Sequence, residues 1–402
     1  MIMKYHSPDL AISDLTQQLN QVRVSESSNL DRDSFGRLLG ESVIADRDSP
    51  AADISAMDGY AINQLDLQTK TPIPIQGESK AGNPPPSLSR GSTVRIFTGA
   101  IVPSEADTVI RREDTEETDS TILIKGQNSS YPIGSNIRVA GENANKGSVA
   151  IKEGQCITGA SAATIANFGY RSIRVLKRLR VAIVTTGDEV GSFDSSDPQP
   201  WQIRNSNLNS LSVFLNAFPW IEVSKETHCV DRPKAISAAI SEALQNADAL
   251  LMTGGVSMGN YDYVPEQVKE IGANIVFHGL PIRPGKPILG AASISGKLIL
   301  GLPGNPVSAL VGCYRIGLPV LRYMAGFSDW EQKPPSTLIA ETDNKTLSMY
   351  WYRLVKESID GTIQLCPTKG SGDLVSLGQS TGFIEIPPDQ CGAGPWTYYK
   401  WC

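Results

Sequence analysis

Histidine is scarce in this chain, with three residues (His6, His228, His278) dispersed over 402 positions, and its six cysteines (Cys156, Cys229, Cys313, Cys366, Cys391, Cys402) include no CxxC pair. These shortages argue against a His-ligated metal and suggest neither a zinc site nor a disulfide framework. The thiols read as small structural hydrophobes. No dense Lys/Arg block is present to track a phosphate backbone, and the formal charge is −6 from 42 acidic and 36 basic residues, so nucleic acid is not an expected partner. No apolar run reaches the roughly 18 residues that span a bilayer. The N-terminus, MIMKYHSPDLAISDL, lacks the apolar core of a signal peptide. A cytoplasmic location without membrane contact is the default expectation. Chemistry must then rest on carboxylates, cations and backbone amides.

What is present is the balance of a soluble globular chain, 40% hydrophobic and 19% charged. At 402 residues it exceeds the roughly 250–300 at which one core stops growing, so several domains are expected. Leu15, Leu19 and Val22 on one face and Leu38, Leu39 and Val43 on another predict helix over 12–45. From 46 to 145 the texture is Pro- and Gly-rich with short β-type runs (TPIPIQ, STVRIF, DTVIRR, TILIKG), an all-β module. Helical character resumes near GASAATIANFGY. The β domain at 46–145 therefore reads as an insertion into a helical domain made of 1–45 and 146–177. Residues 178–326 alternate buried strands (RVAIVTT, ALLMT, NIVF, KLIL) with amphipathic helices marked by Leu208, Leu211, Leu215, Phe218 and by Ile236, Ile240, Leu244. That pattern predicts a parallel sheet covered on both faces. Residues 327–402 show turns and no convincing helix, a small C-terminal β domain or barrel.

In an open parallel sheet, ligands bind beyond the carboxyl ends of the strands. Three predicted strand ends carry polar, glycine-lined loops: Thr186, Gly187, Asp188 and Glu189; Gly254, Gly255, Ser257 and Gly259; and Pro303, Gly304 and Asn305. Glycines let backbone N–H groups approach an anion, and a helix start adds its positive end. Asn305 is placed to cap the next helix and Pro306 to fill its first turn. Taken alone, Gly254-Gly255 is equally a tight turn. Glu189 and Asp262 are either two solvated acids or a pair bridged to phosphate oxygens by a divalent cation. Arg283 and Lys286 flank a Pro-Gly turn, as fixed cations for an oxyanion or as ordinary surface charges.

The strings DISAMDGYAI (53–62), VRIFTGAIVPSEADTVI (94–110), NIRVAGENANKG (136–147), TTGDEV (185–190), TGGVSMGNYDYV (253–264), RPGKPI (283–288) and GLPGNPVSA (301–309), in this order, resemble the molybdopterin molybdenumtransferase (MoeA, gephyrin E-domain) family. The resemblance implies a multidomain α/β plus β fold: a helical N-terminal domain with an inserted β domain, a three-layer α/β domain of the molybdenum-cofactor-biosynthesis type, and a C-terminal β-barrel-like domain. It implies an elongated homodimer whose cleft lies between the α/β domain of one subunit and the β domain of the other. The implied reaction inserts molybdate into adenylylated molybdopterin with release of AMP, assisted by Mg2+. A molybdopterin-adenylating protein and apo-molybdoenzymes are the implied protein partners.

Carried over by motif, the catalytic positions are Asp58, Thr98, Glu189, Asp231 and Asp262, with Asp262 and Glu189 as metal ligands. The substrate loops are Thr186, Gly187, Asp188, Gly254, Gly255, Ser257, Gly259, Pro303, Gly304 and Asn305. Arg283, Lys286, Arg353 and Ser371 match molybdate-binding positions. The chain departs from the pattern at Arg283, where the family has lysine, at Gly279, where a further lysine is common, and at Asn143 and Asn260, where acids are common. Two other readings stay open: a non-catalytic paralogue that binds cofactor or serves as a scaffold, and a Mg-dependent phosphate-anhydride hydrolase.

Overall fold

The computed structural model describes residues 5–67, 71–125, 131–191, 198–257, 259 and 262–401; Asn260 and Cys402 lie outside them. Two compact units result: Met1–Glu41, Glu153–Ala160 and Ser172–Cys402 form one, and Ser42–Lys152 with Ser161–Arg171 the other. Residues 178–326 and 327–402 thus share a unit.

The smaller unit is built on a six-stranded sheet in the order Thr108–Arg111, Gly59–Ile62, Thr93–Ile96, Ile73–Ser79, Thr121–Ile124, Thr115–Glu117. The four β-type runs named from the sequence fall on Ile73–Ser79, Thr93–Ile96, Thr108–Arg111 and Thr121–Ile124; Gly59–Ile62 and Thr115–Glu117 were not among them. Gly59–Ile62 is buried throughout, with Tyr60 and Ile62 packing on one face and Ala61 on the other, as the period of two requires.

In the larger unit the helix expected over 12–45 is confined to Pro8–Thr16, capped by Ser7. Beyond it the chain to residue 45 is largely extended, interrupted by one 3-10 turn at Arg32–Ser34. Ser25–Asn29 pairs antiparallel with Ser172–Leu176, and Leu38 and Leu39 form isolated bridges with Cys156 and Val175. Their apolar spacing serves burial from an extended backbone, and Gly36 (φ +75°) and Gly40, where a Cβ would sit 2.7 Å from Ser25, break any helix.

The central sheet contains β1 (Leu179–Thr186), β2 (Ile221–Cys229), β3 (Ala249–Thr253), β4 (Asn274–His278), β5 (Leu289–Ala292) and β6 (Leu298–Leu302), in the order β2-β1-β3-β6-β5-β4. It is mixed, not wholly parallel. β2, β1, β3 and β6 run parallel, whereas β5 pairs antiparallel with both β6 and β4. The five residues between β5 and β6 cannot make a crossover, so these two strands form a hairpin. Helices α1 (Ser206–Asn216), α2 (Pro233–Asn246), α3 (Val264–Glu270) and α4 (Pro306–Gly312) belong to the same region. Successive residues of β1 enter opposite cores, Val181 and Ile183 in one and Ala182 and Val184 in the other. That two-sided burial explains the near-continuous apolar runs.

A second sheet carries Ser336–Thr337, β7 (Tyr350–Glu357), Ile363–Leu365, β8 (Gly382–Ile386) and β9 (Trp396–Lys400). Its edge is Ile282–Arg283, which pairs parallel with β7. A short helix, Leu374–Gln379, stands where only turns were expected; Asp373 caps it by accepting from the Ser376 N–H at 3.1 Å. Six residues are too few to show helical periodicity in a sequence. Among the described residues no helix is long and apolar enough to cross a membrane, and the five described cysteines are free.

Candidate functional site

Register brings the loops together. Thr185 is level with Thr253, and Thr253 with Leu302, so the three polar loops leave one edge of the sheet side by side. The Gly254 N–H donates to the Leu302 carbonyl at 3.2 Å. Gly254 has φ +90°, and a Cβ there would lie 2.7 Å from the Thr186 carbonyl oxygen; only glycine fits. A Cβ on Gly304 would come within 3.7 Å of the Gly254 Cα. The glycines expected to line a mouth do pack against one another.

Acidic groups gather at the end of β1. The Asp231 N–H donates to Asp188 at 3.1 Å. Burial pushes the Asp231 carboxyl above its ordinary value; the nearby Thr186 hydroxyl pulls it partly back, while the Glu189 and Asp188 charges raise it further. Asp231 Oδ1 and Thr186 Oγ1 are buried without an ordinary hydrogen-bond partner. Glu189 turns back over Gly187: a Cβ on that glycine (φ +138°) would lie 2.7 Å from its carboxylate. Glu189 thus lies near enough to Asp231 for its charge to act on that carboxyl. Asp262, the residue expected to share a cation with Glu189, accepts from the Gly259 N–H at 2.6 Å and so pins its own loop. Ser257 and Gly259 are exposed. Among the described residues no group of three or more His, Cys, Asp or Glu is arranged to hold a metal.

A cavity of about 1060 Å³ opens beside the third loop and brings together Arg283, Lys286, Pro303, Asn305, Arg353 and Ser371. The pairing of Ile282–Arg283 with β7 sets Arg283 opposite Trp351, two residues from Arg353. Asn305 precedes the first residue of α4, but its side chain does not cap the helix as the sequence suggested. Its Nδ2 instead donates to Ser371 Oγ at 2.9 Å, and the Val307 N–H donates to the Ser371 carbonyl at 3.1 Å. With Oγ accepting from Asn305, the Ser371 hydroxyl proton is available to a ligand. Sequence reasoning missed Asp343, Lys345, Trp351 and Lys369, which also line the cavity. They lie on turns and a strand, where no periodicity marks them.

In the other unit Asp58 and Thr98 form a pair. The Thr98 N–H and hydroxyl both donate to Asp58 Oδ1 at 2.8 Å, and these bonds hold the carboxyl below its ordinary value. Asn143 accepts from Arg138 through its amide oxygen at 3.1 Å, doing for that guanidinium what a carboxylate oxygen would do. Gly279, at φ +95°, donates its N–H to the Ile288 carbonyl at 2.8 Å.

Residues 6–169 match the family described as the MoeA N-terminal region (domain I and II), and residues 182–323 match the probable molybdopterin binding domain. A molybdopterin molybdenumtransferase from Nostoc sp. is 32% identical over 367 residues, covering 88% of this chain and 83% of that protein. One from Synechocystis sp. is 31% identical, covering 92% and 93%. Among solved structures, the molybdopterin biosynthesis moeA protein of Pyrococcus horikoshii OT3 superposes with a TM-score of 0.81 at 24% identity, covering 98% of this chain and 99% of that one, a likeness of fold.

Proposed function

Because this chain belongs to the molybdopterin molybdenumtransferase family, we propose that it inserts molybdate into adenylylated molybdopterin with Mg2+-dependent release of AMP. Its membership makes it a transferase of molybdenum cofactor biosynthesis. The observation that carries the finer reading is the basic cavity, where, among the described residues, Arg283, Lys286, Lys345, Arg353 and Lys369 share the lining with one carboxylate, Asp343. Such a surplus of cations suits a tetrahedral dianion and a phosphorylated substrate.

The chain's own groups then have distinct tasks. The Ser371 hydroxyl donates to the oxyanion, oriented by Asn305. Arg283 offers a planar fork where a lysine would offer a point charge. Backbone amides at Gly255 and Gly304 approach the phosphates, while the Gly254 N–H, bonded to the Leu302 carbonyl, holds the loop; Thr186, Gly187, Asp188, Ser257, Gly259 and Pro303 are in the same loops. Glu189 and Asp231 fit a hard cation: their oxygens are the ligand type that Mg2+ prefers, and their crowding leaves Asp231 with an unpartnered buried oxygen. When bound there, Mg2+ would neutralise charge on the phosphate leaving as AMP. Asp262 holds its loop in shape. The Asp58–Thr98 pair completes the cleft in a homodimer, and the same reading carries a cytoplasmic location and the adenylating protein and apo-molybdoenzymes as partners.

Purified protein given adenylylated molybdopterin, Mg2+ and molybdate should release AMP and yield metal-loaded cofactor. Bound but intact substrate after hours would instead favour the scaffold reading, which Gly279 supports because it leaves one family cation missing. Turnover of ordinary nucleotides would favour a general phosphate-anhydride hydrolase.

A further inference from the structure

The Arg353 guanidinium is held on two sides. Its Nη1 and Nη2 donate to Asp343 Oδ1 and Oδ2, both at 2.9 Å, and its Cζ lies over the Trp351 ring, 4.2 Å from the centroid. Asp343 is itself fixed by its turn, accepting from the Lys345 N–H at 3.3 Å, while Asn344 takes the left-handed conformation, φ +53°. Arg353 and Asp343 both line the basic cavity. A guanidinium presents two bidentate edges, one between its terminal nitrogens and one along Nε. Asp343 takes the first. The second is unclaimed by any hydrogen bond found for Arg353 among the described residues.

We propose that Asp343 is a positioning residue for oxyanion capture: it clamps the end of the Arg353 fork so that the Nε edge stands ready for a tetrahedral oxyanion in the cavity. This rests on the reading of the cavity as the molybdate site. Trp351 blocks one face and Asp343 one edge, so rotamer freedom is lost before the ligand arrives and binding does not bear that entropy. Arg353 holds the Asp343 carboxyl below its ordinary range. The clamp is therefore intact above that lowered value and opens only as pH falls through it.

Two physical accounts of Asp343 predict opposite signs. If it were only a neighbouring charge, removing it would strengthen attraction for an anion. If it positions Arg353, removing it weakens capture. The test is titration of the full-length chain with inorganic molybdate in a calorimeter, for wild type, Asp343→Ala and Asp343→Glu, with melting temperatures alongside. Asp343→Ala should weaken the Kd by roughly tenfold or more, the scale on which misplaced groups act, and Asp343→Glu should recover most of the loss. Equal or tighter binding by Asp343→Ala overturns the proposal, as does weakening without recovery by glutamate. If the alanine variant does not fold, Asp343→Asn, of the same size, should show the same weakening, and unchanged binding by it would equally overturn the clamp. In the AMP-release assay KM for molybdate should rise by the same factor. A wild-type chain that binds molybdate but releases no AMP removes the catalytic reading, while the titrations still decide the clamp.

Discussion

Asp231 illustrates at the scale of one residue how a site is made at the expense of stability. Its carboxyl is pushed up by burial and by the Glu189 and Asp188 charges, so the folded state disfavours the charged form relative to the unfolded chain, whose ordinary value is 3.8. The sign follows from linkage. The penalty is complete above the raised folded pKa and fades as pH falls towards the unfolded value. Asp231→Asn should therefore raise the melting temperature at pH 8 while lowering AMP release, and the gain should shrink as the pH is taken down. Differential scanning calorimetry across pH checks the first part, and a melting temperature that falls at pH 8 would sink it. Gly254 was legible as part of a glycine-lined loop after a buried strand, equally a tight turn; its contact with the Thr186 carbonyl was not, because no local pattern reports which strands are neighbours.

Among elements, buried strands were the most readable. β1, β3 and β6 are almost unbroken apolar runs because both faces of the sheet are covered. Their order is a tertiary fact, yet short connections decide much of it, and the five-residue link from β5 to β6 already forbade a wholly parallel sheet. Leu38 and Leu39 misled for the opposite reason: apolar spacing reports burial, and an extended chain can be buried as well as a helix. The pairing of Ile282–Arg283 with β7 could not be read at all, since two residues carry no period. That pairing places Arg283 in the cavity, and it is completed by the Tyr350 N–H donating to the Pro281 carbonyl at 2.8 Å. Tyr350→Pro removes this donor at the first residue of β7, where proline is tolerated. The expected stability loss is about 1 kcal/mol, with a rise of several-fold in KM for molybdate as Arg283 loses its anchor. A KM that stays at the wild-type value would show that the strand pairing does not position Arg283.

For the whole molecule the proposal divides labour between copies. Asp58 with Thr98 lies in the smaller unit, and Asp262 with the basic cavity in the larger. Asp231 also lies in the larger unit; in a homodimer whose cleft draws on both subunits, Asp58→Asn and Asp231→Asn each break every cleft. Co-expression of the two variants, or their dissociation and remixing, should restore activity to about a quarter of wild type, because half the dimers are mixed and each mixed dimer holds one intact cleft. No recovery on mixing, with heterodimers demonstrated by mass spectrometry, would place each cleft within a single chain. The sequence could not foretell this arrangement from composition or periodicity; only the resemblance of DISAMDGYAI to its family suggested it.

The backbone at Gly279 also bears on how this chain can evolve. There is space for a side chain, since the nearest atom to a Cβ placed there would be the Lys286 carbonyl oxygen at 3.7 Å. The obstacle is the torsion angle of +95°, which costs an L-residue on the order of 1–2 kcal/mol. A lineage carrying this glycine would not place a lysine there by a single codon change without also reshaping the turn, so selection for tighter anion capture would act more readily on the cations that line the cavity, such as Lys345 and Lys369.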